Sequence, residues 1–244
     1  MRNIQLVIEY EGTAYCGWQI QPNGVAIQEV LIRAIEKITS EKIKLIGSGR
    51  TDAGVHAYGQ SANFLTKSAI ETEKFPMAIN SKLPRDIRIV GAYEQSHEFH
   101  SRYSAKGKVY EYRILNDPYG SALDRNRVWH VKPHLDRTAI IKAMECLKGT
   151  HDFTTFSSIK SGSENKVRTI CEYSLSTRED QIIMVVSGNG FLYNMVRIMT
   201  GTLVDVGLGK IDPDKISKLL KGKDRNLAGK TAPPQGLYLK KVIY

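Results

Sequence analysis

An aspartate set among glycines is the first group in this sequence with chemistry to offer. Asp52 lies in GSGRTDAGVHA, from Gly47 to Ala57, where Gly47, Gly49 and Gly54 flank it and Arg50. Glycine permits positive φ and close approach by a ligand, so such a loop can hold a carboxylate against something bulky. The pattern equally fits a plain turn in which Asp52 bonds its own backbone. Two phosphate-binding loops are excluded. A Walker A loop would end in Gly-Lys-Ser/Thr, and GxGxxG fails because Asp52 stands where the third glycine belongs. Arg50 can hold the carboxylate ionised, contact phosphate or wedge between bases, or it can be a solvated surface charge.

Tyr110, in AKGKVYEYRI, follows the basic and aromatic run FHSRYSAKGK. A tyrosine on a nucleic-acid surface can stack on a base and offer a hydroxyl for acid–base work. The bland alternative makes Tyr110 and Tyr112 core-facing strand aromatics. Arg197, in NGFLYNMVRIMTG, shares a helical face with Tyr193, Asn194, Thr200 and Gly201, away from the apolar stripe. Gly201 beside it would let another backbone come close, which suits an Arg pointing towards a carboxylate; an ordinary exposed helix Arg fits as well. His97 and His100 have i, i+3 spacing but no third ligand, and HExxH is not present, so no metal site is expected.

The elements that must carry these residues follow from periodicity. Alternation over Asn3 to Tyr10 predicts a strand, and Pro22-Asn23-Gly24 a turn. Ile27, Val30, Leu31, Ala34, Ile35 and Ile38 form the apolar face of a helix. A strand over residues 43–46 delivers the chain to the glycine-rich loop, and extended structure resumes over 60–66. A helix is expected over 71–81 and a strand over 87–93. In the second half a strand is predicted over 108–115, with Tyr110, Tyr112 and Ile114 on one face. A helix over 137–148 has Asp136 as its N-cap and Gly149 as its stop. Residues 167–176 and 181–187 read as a hairpin. A helix over 191–206 faces Phe191, Met195, Ile198, Thr202 and Leu203 inward. Asp212-Pro213 starts a shorter helix ending at Lys221, and residues 237–243 form a last strand.

Bulk properties narrow the partners. Thirty-five Lys and Arg against twenty-five Asp and Glu give a net charge of +10 over 244 residues. Such an excess raises the local concentration of polyanions. The cations fall in several clusters: Arg102, Lys106, Lys108 and Arg113; Arg125, Arg127 and Lys132; Lys160, Lys166 and Arg168; and Lys218, Lys221, Lys223 and Arg225. That spread suits a folded RNA better than a single phosphate. Cys16, Cys146 and Cys171 are odd in number and form no CxxC, so reduced structural cysteines are expected. The N-terminus does not read as a secretory signal, and no stretch reaches the ~20 apolar residues of a membrane span. A bacterial or organellar cytosol is the expected compartment.

Taken together, several segments resemble the TruA-type tRNA pseudouridine synthases. They are EYEGTAYCGWQIQPNGVAIQE, GRTDAGVHA, NSKLPRDI, FHSRYSA, KVYEYRI, THDFTTF, VRTI, GFLYNMVR and GLYLKKV, in the family's order and over almost the whole chain. The resemblance implies isomerisation of uridine to pseudouridine at positions 38–40 of the tRNA anticodon stem-loop, in the cytoplasm, by a homodimer that grips one tRNA. It implies that Asp52 is the nucleophile and that Tyr110 stacks on the target uracil and is a candidate base. It implies further that Arg197 pairs with the catalytic carboxylate and that Arg50 takes part in base flipping. Asn194 departs from the family, which has a His before Met-Val-Arg. The expected fold is α+β: two similar ferredoxin-like or RRM-like lobes, residues 1–105 and 106–244. A mostly antiparallel central sheet carries helices on one face and a cationic cleft on the other.

The implied reaction breaks N1–C1′, rotates the uracil and joins C5 to C1′. Nothing is oxidised or reduced, so no cofactor and no metal are expected. An ionised Asp can attack the sugar or the base, or stabilise positive charge on the sugar. A uracil stacked in a stem must first be flipped, at a few kcal/mol, and an aromatic stack worth ~1–3 kcal/mol offsets much of that. The rival readings are a non-catalytic RNA-binding protein, an Asp-dependent hydrolase or phosphotransferase, and a synthase acting on another uridine.

Overall fold

The computed structural model describes residues 1–159 and 162–244. The first half runs β1 (Arg2–Tyr10), α1 (Ile27–Thr39), β2 (Ile46–Gly47), β3 (His56–Thr66), α2 (Phe75–Asn80) and β4 (Ile87–Gln95). It continues with β5 (Gly107–Leu115), β6 (Trp129–His130), α3 (Arg137–Glu145), β7 (Gly149–Asp152), β8 (Val167–Arg178) and β9 (Gln181–Gly188). The last elements are α4 (Met195–Gly207), α5 (Ile216–Gly222) and β10 (Leu237–Ile243). The fold is α+β with mostly antiparallel pairing. Two compact units divide it: residues 1–106 with 238–244, and residues 107–237. The last strand, which the linear reading assigns to the second half, thus returns to the first unit.

In the first unit β1 lies between β3 and β4, antiparallel to both, and β10 runs parallel to β3. Alternation in β1 puts Ile4, Leu6 and Ile8, all fully buried, on one face beside Phe64 and Ala62 of β3. Ile27, Leu31 and Ile35 of α1 and Phe75 and Ile79 of α2 are buried in the same core, where the Phe64 and Phe75 rings meet edge to face at 5.9 Å. The other face of β1 and β3 holds buried polar groups: Asn3, Gln5, Ser61 and Asn63.

Two expected elements of this unit form differently. The strand over 43–46 shrinks to Ile46–Gly47, because helix side chains take the backbone groups that a ladder would use. Glu36 Oε1 accepts from the backbone amide of Ile43 (3.4 Å), and Gln28 Nε2 donates to the carbonyl of Leu45 (3.0 Å). The helix over 71–81 splits into a 3₁₀ turn, Thr72–Lys74, and the six residues of α2. Pro76 in the first turn explains the break: its ring and missing N–H are tolerated only at a helix start.

In the second unit β5, β9, β8 and β7 pair antiparallel in that order, and β6 adds parallel to β5. The expected hairpin is β8 and β9, closed at Arg178↔Gln181. Asp136 caps α3, accepting from the amide of Ala139 at 3.0 Å, as the sequence predicts. Asp212 likewise caps the 3₁₀ turn Pro213–Lys215 that leads into α5. The helix expected over 191–206 begins four residues later. Asn194 adopts φ +62°, a left-handed conformation that Asn tolerates better than most residues, and the helix can start only after it.

Candidate active site

Asp52 opens a tight turn whose backbone leaves little choice of residue. Its carbonyl accepts from the amide of Val55 at 3.2 Å, and Gly54 has φ +77°. Those are the marks of a type II turn, which needs positive φ at its third position and therefore glycine. The loop is clamped from behind. The carbonyl of Thr51 accepts from the amide of Trp18 (3.1 Å), and the Thr51 and Tyr10 hydroxyls are hydrogen-bonded to each other at 2.7 Å. Ser48 Oγ donates to Gln60 Oε1 (2.7 Å), and Gln60 Nε2 donates to the carbonyl of Gly49 (3.0 Å). The amide of Gly12 donates to His56 Nδ1 at 3.0 Å.

Packing closes the clamp. Gly17 has φ +105°, and a β-carbon there would lie 2.6 Å from the carbonyl oxygen of Thr51. A β-carbon on Gly12 would stand 2.0 Å from the carbonyl oxygen of Val55. Ser48, Thr51, Val55 and His56 are buried, while Asp52 is half-buried and Arg50 exposed. Burial raises the Tyr10 phenol above its ordinary range, so it stays a neutral partner for Thr51. The arrangement ties the loop's backbone down at Gly49, Thr51 and Val55. Sequence reasoning misses the clamp residues, Tyr10, Trp18, Ser48, Thr51 and Gln60. The only advance signal is the glycine pair in EGTAYCG.

Tyr110 lies on β5 opposite Val186 of β9. It is buried, and its ring meets Phe191 edge-on at 5.1 Å and 85°. Tyr112, two residues on, donates to the carbonyl of Pro233 at 2.7 Å, and burial raises its phenol well above the ordinary range.

Arg197 is held on three sides. Its Nε donates to the carbonyl of Ala232 (2.8 Å), its Nη1 to Asn194 Oδ1 (3.0 Å), and its own carbonyl accepts from the amide of Ala232 (3.0 Å). The expected close approach at Gly201 is present: a β-carbon there would stand 1.8 Å from the carbonyl oxygen of Lys230. The expected outer face is not. Thr200 and Gly201 are buried like almost all of α4, so Arg197 is no ordinary exposed helix residue. Asn194, with its left-handed backbone, both ends the turn before α4 and braces Arg197.

Asp52 and Arg50 thus share one loop of the first unit, and Tyr110 and Arg197 belong to the second. Of the basic clusters, Arg113 pairs with buried Glu111 (2.7 Å) and Lys223 with Asp152 (2.8 Å). Lys160 lies outside the described residues. His100 uses Nδ1 to accept from the amides of Arg102 (3.2 Å) and Tyr103 (3.3 Å). Among the described residues, no three His, Cys, Asp or Glu side chains come together in a metal-ligating group.

The profile of the tRNA pseudouridine synthases matches residues 6–104 and 143–244. The chain belongs to the tRNA pseudouridine synthase family. Arg50 and Asp52 fall in the first matched stretch and Arg197 in the second; Tyr110 lies between them. Members of this family form pseudouridine, and this synthase is an isomerase of that kind. It is 51% identical over 244 residues, the full length of both chains, to tRNA pseudouridine synthase A of Thermoanaerobacter sp. (strain X514). To the protein of the same name in Caldicellulosiruptor saccharolyticus it is again 51% identical over 244 residues, all of both chains. Among solved structures, a chain of a Cbf5-Nop10-Gar1 complex matches 97% of the synthase and 48% of its own length, with 13% identity and a TM-score of 0.40. No helix among the described residues is long and apolar enough to cross a membrane.

Proposed function

We propose that this synthase converts uridines 38–40 of the tRNA anticodon stem-loop to pseudouridine, with Asp52 as the nucleophile. The observation that carries the proposal is the clamped turn at Asp52. A half-buried carboxylate is presented by a loop whose backbone is fixed through Tyr10, Trp18 and Gln60. Rigid presentation of the attacking group is what a displacement at C1′ or an addition to the base requires. Arg50, exposed two residues away, is assigned to the flipped-out nucleotide. Tyr110 is assigned to stacking on the target uracil and to proton removal at C5. Arg197 is assigned to the catalytic carboxylate, with its guanidinium braced by Asn194 and Ala232. The same resemblance supports a cytoplasmic homodimer that needs no cofactor, and ferredoxin-like lobes divided near residue 105 with a cationic cleft for the stem-loop.

Asp52→Asn keeps the turn's shape and removes the charge. It is expected to bind tRNA with wild-type affinity and to release no tritium from tRNA carrying 5-tritiated uridine. Near-normal release from this variant would strip Asp52 of its role.

A further inference from the structure

We propose that the turn Phe99–Ser104 is a second RNA-binding platform, on which one unstacked base of the tRNA rests against Tyr103 while Arg102 takes an adjoining phosphate. The proposal rests on the reading of this protein as a tRNA-modifying enzyme and adds a contact outside the four residues assigned above. Tyr103 is 77% exposed, although it is a large aromatic. Its ring lies 4.3 Å from that of His100, and the Arg102 guanidinium stands 5.6 Å from its centroid. An exposed aromatic flanked by a cation is the standard surface for sequence-tolerant base stacking. Lys106, also exposed, follows at once. Glu98, the carboxylate just before the turn, is engaged by its own backbone and by Ser96.

What separates this turn from an ordinary loop is how it is moored. Asn3 Nδ2 donates to the carbonyls of Ser96 and Phe99, both at 2.9 Å. Asn63 Oδ1 accepts from the amide of Ser101 (2.9 Å), and the Tyr244 hydroxyl bridges Ser61 Oγ (2.7 Å) and the carbonyl of Ser101 (2.9 Å). Asn3, Asn63, Ser61 and Ser101 are buried, and the Phe99 and Tyr244 rings pack at 4.9 Å. This polar network occupies a sheet face where apolar residues would otherwise serve. Its effect is to fix the backbone from which Tyr103 projects, so little conformational freedom is lost on binding. The positive charge around the ring selects a polyanion over an apolar protein surface as its partner.

The test compares Tyr103→Ala, Tyr103→Phe and the unmutated protein with an unmodified tRNA transcript. Readouts are filter-binding Kd, KM and kcat for tritium release, and sedimentation. Loss of one base stack predicts that Tyr103→Ala weakens Kd and raises KM by about 5- to 150-fold, with kcat, sedimentation and thermal unfolding unchanged. Tyr103→Phe, which keeps the ring, is expected within about two-fold of the parent. The proposal is overturned if Tyr103→Ala binds normally, if Tyr103→Phe loses as much as Tyr103→Ala, or if the defect is a change in association between copies. Should the parent release no tritium at all, the functional assignment fails, and the Kd comparison still decides the platform.

Discussion

Tyr110 shows how much one residue's type can say before its surroundings are known. Its place in KVYEYRI marks it as a strand aromatic, and the alternation that pairs it with Tyr112 and Ile114 is visible in the sequence. Its edge-on contact with Phe191 is not visible, because the two residues meet only when β5 and the segment before α4 are folded together. That contact suggests a clean separation of ring from hydroxyl. Tyr110→Phe keeps the aromatic packing, so thermal unfolding is expected to move by no more than a few degrees. If the hydroxyl takes part in proton removal, kcat for tritium release falls by about 10²-fold or more while tRNA affinity holds. An unchanged kcat would leave Tyr110 as a stacking surface alone. Asp52 teaches the same lesson from the other side. Its glycine-flanked loop is legible, but the partners that fix the loop are not, since Tyr10 lies 41 residues before Thr51.

Helix α4 carries the argument at the scale of elements. Periodicity predicts the body of the helix and the burial of Met195, Ile198, Thr202 and Leu203, but Phe191 lies before its start, half-buried, and the outer face assigned to it does not exist. The covering segment, Lys230–Ala232, is short and irregular and has no apolar period to announce it. Gly201 was the legible trace, a small residue where a backbone comes close. Gly201→Ala would set its β-carbon 1.8 Å from the carbonyl oxygen of Lys230, so one of the two segments must move. Overpacking of this kind destabilises by about 1–3 kcal/mol. The displaced segment also takes the Ala232 carbonyl away from Arg197 Nε. Urea unfolding is therefore expected to show that loss of stability, and kcat to fall further than KM rises. A stable variant of full activity would show that the hold of Ala232 on Arg197 does not matter. The same limit explains the shortened strand over 43–46, whereas the break in the helix over 71–81 follows from Pro76, which the sequence shows. Glu36 and Gln28 reach from α1 to the backbone at Ile43 and Leu45, and no local pattern reveals that competition.

For the whole molecule, the most legible quantity is charge, and the least legible is where the chain ends up. The return of β10 to β3, with Tyr238 opposite His56, joins residues far apart in sequence, and an apolar run at the C-terminus cannot name its partner strand. The excess of ten positive charges needs no fold to be read. The pairs of Arg113 with Glu111 and of Lys223 with Asp152 cancel within that count, and the excess is what the other cations carry. That excess sets the salt dependence of binding. Each phosphate neutralised contributes a log–log slope of about −0.7 to −0.9, so six contacts give about −4 or steeper in a plot of log affinity against log salt. Filter binding of tRNA between low and moderate salt is expected to fall on such a line. KM should rise in parallel, whereas kcat should stay level, because the clamped turn at Asp52 depends on buried hydrogen bonds that salt does not screen. A shallow slope would mean that stacking and shape, rather than the cationic surface, hold the RNA. A kcat that fell with salt would place exposed charge within the chemical step itself.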